Sequence, residues 1–241
     1  MCIDRLKQII NESDNIVFFG GAGVSTESNI PDFRSNSGLY NTESSAGYKP
    51  ETILSHSFFK SHTEDFYNFY KNKMIYTKAK PNKAHLALAE LEEKGKLKAV
   101  VTQNIDGLHQ LAGSKNVLEL HGSVHRNYCI KCGKYYSLDY IMNSPTNIPR
   151  CDLCSGIVKP DVVLYEENLN MDVLSSAINY ISKADTLIVG GTSLAVYPAA
   201  GLIDYYIGSK LILINKSKTP YDNKANLIFH GSISDILSSV V

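Results

Sequence analysis

Apolar positions along the chain follow two periods, one helical and one of short continuous runs. Ile3, Leu6 and Ile10 recur at helical spacing and predict a helix over residues 3–12. The run Ile16-Val17-Phe18-Phe19 ends at Gly20-Gly21 and predicts a strand buried on both faces. Asn82 is placed to cap a helix running to Lys94, and Gly95 to stop it. Strands are expected at 97–102, 117–120, 162–164, 186–189, 211–214 and 226–229, and helices at 173–181, 199–207 and 233–240. Strands separated by helices imply an α/β fold, a Rossmann-like parallel sheet covered on both faces. Two segments break the rhythm. Residues 35–47 are rich in Ser, Asn and Gly and predict a long loop of the functional kind. Residues 58–76 carry Phe58, Phe59, Phe66, Tyr67, Phe69, Tyr70 and Tyr76, which predicts a helical insert packed beside the sheet. There is no internal repeat and no low-complexity tract.

A chain of 241 residues suffices for one large domain, or a domain with a small insert. Lys plus Arg and Asp plus Glu both number 24, so no basic stripe argues for a nucleic-acid partner or an anionic membrane, and neither is expected. The first residues lack the apolar core of a secretory signal. Residues 186–203 are uncharged and nearly long enough for a membrane span, but Gly190-Gly191 and Pro198 divide them into strand, loop and helix. A cytoplasmic protein is expected.

Four of the five cysteines form Cys129-x-x-Cys132 and Cys151-x-x-Cys154, with eighteen residues between the pairs. A two-residue gap brings both sulfurs of a knuckle to one tetrahedral centre, and two knuckles supply four thiolates to one zinc. Gly133 and Ser155-Gly156 provide the turns. Two disulfides would require an oxidising compartment, and a redox Cys-x-x-Cys does not account for two copies at ribbon spacing. Four thiolates leave no open position, so the zinc is expected to be structural. Cys2 is left over as a surface or packing thiol.

The first strand runs into Gly20-Gly21-Ala22-Gly23-Val24-Ser25, a turn through which backbone N–H groups can approach a pyrophosphate. The usual third glycine is Thr26, and no acidic residue follows the second strand at the usual spacing, so the turn alone is weak. Further polar residues follow other strands. Ile30-Pro31-Asp32-Phe33-Arg34 leads into the long loop, Thr102 through His109 reads TQNIDGLH, His121-Gly122 follows the third strand, and Gly191-Thr192-Ser193-Leu194 and Asn215 follow later ones. Four strand ends thus offer polar side chains to one crevice, where a doubly wound sheet binds ligands.

With these motifs in this order over nearly its whole length, the chain resembles the sirtuins, the NAD-dependent protein-lysine deacylases of bacterial type. The resemblance implies an NAD site lined by Gly21, Ala22, Gly23, Thr26, Phe33 and Arg34, with Arg34 toward the phosphates. Gln103, Asn104, Ile105 and Asp106 would hold the nicotinamide ribose and carboxamide. Thr192, Ser193 and Asn215 would contact the adenosine half, and Ile233 would pack near the adenine. His121 would be the general base: the acyl-lysine oxygen attacks C1′ of the ribose, nicotinamide leaves, and His121 assists the 2′-hydroxyl. The products would be lysine, nicotinamide and O-acetyl-ADP-ribose. Acetylated protein or peptide substrates would add a strand along residues 159–167, at Val162, Val163 and Tyr165, with Val163 near the acyl-lysine channel. His125 is the nearest competitor to His121, His109 is read as structural, and His56, His62, His85 and His230 fit no site. The implied organisation is a single catalytic domain, with a large lobe of 1–35, 80–125 and 158–241, a helical and cofactor-loop insert of 36–79, and a zinc insert of 126–157.

The chain departs from the family pattern in two places. Asn29 replaces a glycine, at a turn asparagine can make. Tyr165-Glu166-Glu167 stands where the family has Phe-Gly-Glu, adding a hydroxyl and a carboxylate near the peptide cleft. No arginine occurs between Ser35 and Thr77, so the guanidinium fork that binds a succinyl or malonyl carboxylate is missing and neutral acyl groups are expected. Other functions to be weighed are mono-ADP-ribosyl transfer, hydride transfer, and a non-enzymatic zinc-ribbon module.

Overall fold

The computed structural model describes residues 2–35, 38–41 and 47–241. Parts of the expected long loop, 36–37 and 42–46, lie outside the described residues. Strands β1 (Ile16–Gly20), β2 (Leu97–Thr102) and β3 (Val117–Glu119) belong to the large sheet. A smaller sheet is built from β4 (Gly122–Cys129), β5 (Tyr135–Ser137) and β6 (Val158–Val162). The large sheet is completed by β7 (Thr186–Gly190), β8 (Leu211–Asn215) and β9 (Leu227–His230). The helices are α1 (Cys2–Glu12), α2 (Pro50–Ile53), α3 (His56–Ser61), α4 (Thr63–Lys73), α5 (Lys83–Glu93), α6 (Leu108–Leu111), α7 (Leu138–Met142), α8 (Met171–Lys183) and α9 (Ile233–Ser238).

The large sheet is parallel, with strand order β3-β2-β1-β7-β8-β9. Its two faces divide the apolar residues of β1. Ile16 and Phe18 pack with α1, α5 and α9, whereas Val17 and Phe19 pack with α8 and the 199–205 segment. All of β1 is buried, as a central parallel strand should be. Asn82 caps α5 as expected, accepting from Ala84 N at 2.9 Å, and Gly95 follows at φ +72°. The segment expected as a helix over 199–207 is a 3₁₀ helix, Ala199–Tyr205, and the closing helix stops at Ser238.

Two expectations are corrected. The strand expected at 162–164 is β6, which ends at Val162 and pairs antiparallel with β4 in the small sheet. The aromatic stretch is two helices, α3 and α4, broken at His62, whose backbone leaves the helical region. Phe58, Phe59, Phe66, Tyr67 and Tyr70 pack against Val124, Leu138, Val162 and Leu164, so the helical insert lies on the small sheet. The Tyr67 hydroxyl donates to the Val158 carbonyl of β6. Both inserts share one apolar cluster across the cleft from the parallel sheet. Among the described residues no helix is long and apolar enough to cross a membrane.

Candidate active site and zinc centre

Strand order reverses between β1 and β7, the switch point at which a doubly wound sheet opens a crevice beyond its carboxyl ends. The two loops that leave these strands touch. Gly23 N donates to Gly191 O at 2.8 Å and Gly21 N to Gly190 O at 3.3 Å. A Cβ on Gly21 would lie 2.8 Å from Thr192 Cβ, and one on Gly23 2.8 Å from Gly191 Cα. The glycines are therefore required by the contact between loops, and Ala22 between them faces the cleft.

The cleft has a volume of about 550 Å³. Its walls bring together Ala22, Phe33, Arg34, Gln103, Asn104, Ile105, Asp106 and His121 with Val162, Val163 and Tyr165. Asn104 and Asp106 are locked through Ser25: Asn104 Nδ2 donates to Ser25 Oγ at 3.1 Å, which donates to Asp106 Oδ2 at 2.6 Å. Asp32 Oδ1 accepts from Arg34 N at 3.0 Å and Ser35 N at 2.8 Å, an Asx turn that shapes the Phe33-Arg34 corner. Gly38 is needed there, because a Cβ would lie 2.8 Å from Arg34 N. The Arg34 guanidinium stands 5.4 Å from the centre of the Tyr40 ring.

The remaining proposed cofactor residues lie off the wall. Asn215 clamps the Thr192 peptide, accepting from Thr192 N at 3.1 Å and donating to Thr192 O, while Gln103 Nε2 donates to Thr192 Oγ1 at 3.0 Å. Ser193 is exposed beside this chain of bonds. Thr26 Oγ1 donates to Gly23 O at 3.0 Å. Ile233 is buried in the core, its side chain lying over Gly190.

His121 follows β3, and its Nδ1 lies 3.0 Å from the Gln103 carbonyl. A carbonyl only accepts, so Nδ1 carries the hydrogen and Nε2 keeps its lone pair. Burial holds the pKa of His121 below the ordinary 6.5, with the Gln103 bond acting the other way, so the ring is neutral near pH 7. His125 is differently placed. Its Nε2 bonds the Asp106 carbonyl at 3.1 Å and therefore bears the hydrogen, and its ring covers Gly107. His109 and His85 form a buried pair behind the cleft, rings 4.7 Å apart.

Residues 163–167 form the opposite lip. Val163 N donates to the His121 carbonyl at 3.0 Å, which joins this lip to the His121 segment. Tyr165 N donates to Leu54 O at 2.9 Å and His56 N to Tyr165 O at 3.0 Å. The Tyr165 hydroxyl meets that of Tyr40 at 2.5 Å. Glu167 accepts from Leu164 N and Lys159 Nζ and bonds His56 Nδ1, at 2.9, 3.1 and 2.8 Å. Sequence reasoning gave no role to Ser25, Gly38 or Tyr40; only Ser25, inside the glycine motif, carried a signal.

One strand links the two centres: β4 begins beside His121 and ends at Cys129. The sulfurs of Cys129, Cys132, Cys151 and Cys154 lie within 4.8 Å of one another. The pairs Cys129–Cys154 and Cys132–Cys151 are 3.5 and 3.6 Å apart, too far for a disulfide. A tetrahedral zinc with bonds of about 2.3 Å sets its sulfurs about 3.8 Å apart, so the four thiols fit one zinc. Lys131 N and Leu153 N each point at the sulfur two residues back, at 3.4 Å. Gly156 is required, since a Cβ would lie 2.8 Å from Cys129 Sγ.

The model of the Sir2 family matches residues 21–198. The NAD-dependent protein deacetylase of Clostridium tetani is 67% identical over 98% of this chain and 96% of its own length. That of Clostridium acetobutylicum is 66% identical over 99% of this chain and 98% of its own. A Sir2 structure with a deacetylated p53 peptide and 3′-O-acetyl ADP-ribose superposes with a TM-score of 0.92 at 41% identity, covering 100% of this chain and 97% of that one. A Sir2 with p53 peptide and NAD+ gives 0.88 at 42% identity, with the same coverage.

Proposed function

This chain belongs to the Sir2 family, and from that membership we propose an NAD-dependent protein-lysine deacetylase whose general base is His121. The enzyme consumes NAD to remove acetyl groups from lysine, releasing nicotinamide and O-acetyl-ADP-ribose. The observation that carries the assignment of the base is the committed Nδ1 of His121, which leaves a neutral Nε2 at the cleft wall. Bound NAD supplies a ribose carbon open to attack by the acyl oxygen, a leaving nicotinamide and a 2′-hydroxyl. His121 Nε2 accepts the hydroxyl proton, while its Nδ1–H stays on Gln103 O. Asn104 and Asp106, fixed through Ser25, hold the nicotinamide ribose, with Gln103 and Ile105 flanking the carboxamide. Arg34 meets the phosphates with a charge-assisted fork, and Ala22, Phe33 and Thr26 shape that side. Gly21 and Gly23 serve by letting the loops meet, and Thr192, Ser193 and Asn215 meet the adenosine half. Ile233 acts beneath this surface, seating α9 on Gly190.

An acetylated peptide lies along Val162, Val163 and Tyr165 and bonds through its backbone. Leu54, Met74, Val124 and Leu138 line the cleft, an apolar wall suited to neutral acyl groups. One structural zinc fixes the small sheet, and the chain works as a single catalytic domain in the cytoplasm, its second lobe taking in β4 and β6, residues 122–129 and 158–162, which the motif-based bounds gave partly to the large lobe. Incubation with NAD and acetyl, propionyl, butyryl or succinyl versions of one peptide tests the reading. Nicotinamide release should match deacetylation one for one. Protein labelled with ADP-ribose without deacetylation would instead indicate ADP-ribosyl transfer, and succinyl as the best substrate would overturn the neutral-acyl reading.

A further inference from the structure

The lip of the cleft carries two groups that the family pattern lacks, the Tyr165 hydroxyl and the Glu166 carboxylate, and the structure treats them differently. The hydroxyl is consumed by Tyr40. The carboxylate is held but not neutralised: Glu166 Oε2 accepts from Ser57 N and Oε1 from Ser57 Oγ, both at 2.9 Å and both from uncharged donors. Its acidic neighbours are matched, Glu167 by Lys159 and His56 and Asp161 by Arg126. Among the described residues Glu166 has no ion-pair partner, yet it is exposed and lines the cleft beside Tyr165. Its backbone is also unusual, with φ +75°, a conformation that glycine adopts freely and a glutamate adopts only under constraint. Side chains held in such conformations cluster where a site needs them. Arg34 makes no ion pair with Glu166; its guanidinium stands over the Tyr40 ring.

We infer that Glu166 selects the peptide: the preferred substrates are basic, with a lysine or arginine two residues from the acetyl-lysine. The inference rests on the deacetylase reading and on the peptide lying along Val162–Tyr165. In an extended peptide, residues two apart are about 6.6–7 Å distant and share a face, so a flanking cation can reach the carboxylate while the acyl group enters the cleft. Ser57 holds the carboxylate in place, so little side-chain freedom is lost on pairing.

The test is steady-state kcat/KM for acetyl-lysine peptides carrying Lys, Ala or Glu at flanking positions on each side, with the intact enzyme and with Glu166→Gln. Glutamine keeps an oxygen for Ser57 and removes only the charge. On the side that passes Glu166, the intact enzyme should prefer the lysine-flanked over the glutamate-flanked peptide by about tenfold at low salt, falling to about twofold at 0.5 M salt. In Glu166→Gln that ratio should approach one, the change lying in KM. Glu166→Gly, which suits the left-handed backbone, provides the same comparison should the glutamine variant be unstable. A preference that survives in both variants, or no preference in the intact enzyme, overturns the inference. If no acetylated peptide is turned over at all, it is the deacetylase reading that has failed instead.

Discussion

A histidine can act as a directional base when one of its nitrogens is committed, and in His121, the proposed base, the Gln103 carbonyl commits Nδ1. Removing the ring should therefore cost chemistry more than binding. His121→Ala is expected to lower kcat by about 10²–10⁴-fold, with NAD affinity by calorimetry little changed. Because burial lowers its pKa, the neutral base persists below the ordinary 6.5. The acidic limb of kcat/KM should accordingly lie below pH 6.5, and a limb above that value would contradict the assignment. The place of His121 on the cleft wall and the meeting of the four cysteines were legible in the sequence because their motifs are short and local. The left-handed turn at Asn29, φ 62°, was legible for the same reason. Tyr40 and Ser25 act on residues 125 and 81 positions away, and no local pattern announces such a partner. Glu166 was visible as a departure, but its tie to Ser57 was not, since that depends on where α3 comes to rest.

The parallel strands were legible at the level of elements because each is an apolar run bounded by glycine or polar residues. The small sheet was not. β4 reads GSVHRNYC and β6 reads VKPDV, with charged and proline residues where a buried strand would be apolar, and their register shifts between Ser123 and Asn127. What stabilises this sheet is the zinc and a small cluster of Tyr136, Ile141 and Val158 around two of the cysteines. Cys151→Ala should lose zinc by elemental analysis and lose turnover with it, because β4 also carries the chain onward from His121. Retention of full zinc and full turnover would rule out the staple. The amino end of α5 offers a second element-level prediction. Asn82 caps the helix, and its Nδ2 also donates to Val24 O at 2.8 Å and Ser28 Oγ at 3.0 Å, bracing the glycine turn from below. Asn82→Ala should cost about 1–2 kcal/mol of stability in urea unfolding and raise the KM for NAD. A variant that lost stability with KM unaltered would separate the cap from the turn.

Across the whole molecule, two lobes of different construction meet at one cleft. Arg126 bridges them, with Nη1 on Glu119 of β3 at 2.5 Å and Nε on Asp161 of β6 at 2.8 Å. The doubly wound lobe was legible from its rhythm, whereas the joining of both inserts into one second lobe was not, because it depends on aromatic residues of α3 and α4 meeting β6. The large lobe also encloses the paired rings of His85 and His109, 0% and 1% exposed. His85 Nδ1 accepts from Asn82 N at 3.3 Å, but neither nitrogen of His109 has a hydrogen-bond partner among the described residues. Burial lowers the pKa of His85 to about 4, against an opposing pull from Asp106, and that of His109 to about 3, with His85 lowering it further. Both values fall below the ordinary 6.5, so the unfolded chain binds more protons than the folded one once the pH drops beneath that value. Stability from this source is complete above pH 6.5 and is lost progressively toward pH 3–4. Each ring contributes a slope approaching about 1.4 kcal/mol per pH unit. In His109→Leu one of these proton sites is gone, so the loss of unfolding free energy between pH 7 and 5 should shrink by about 1–2 kcal/mol relative to the parent. Urea midpoints at the two pH values decide the matter, and parallel pH dependence in the two proteins would mean that His109 is not held neutral in the fold.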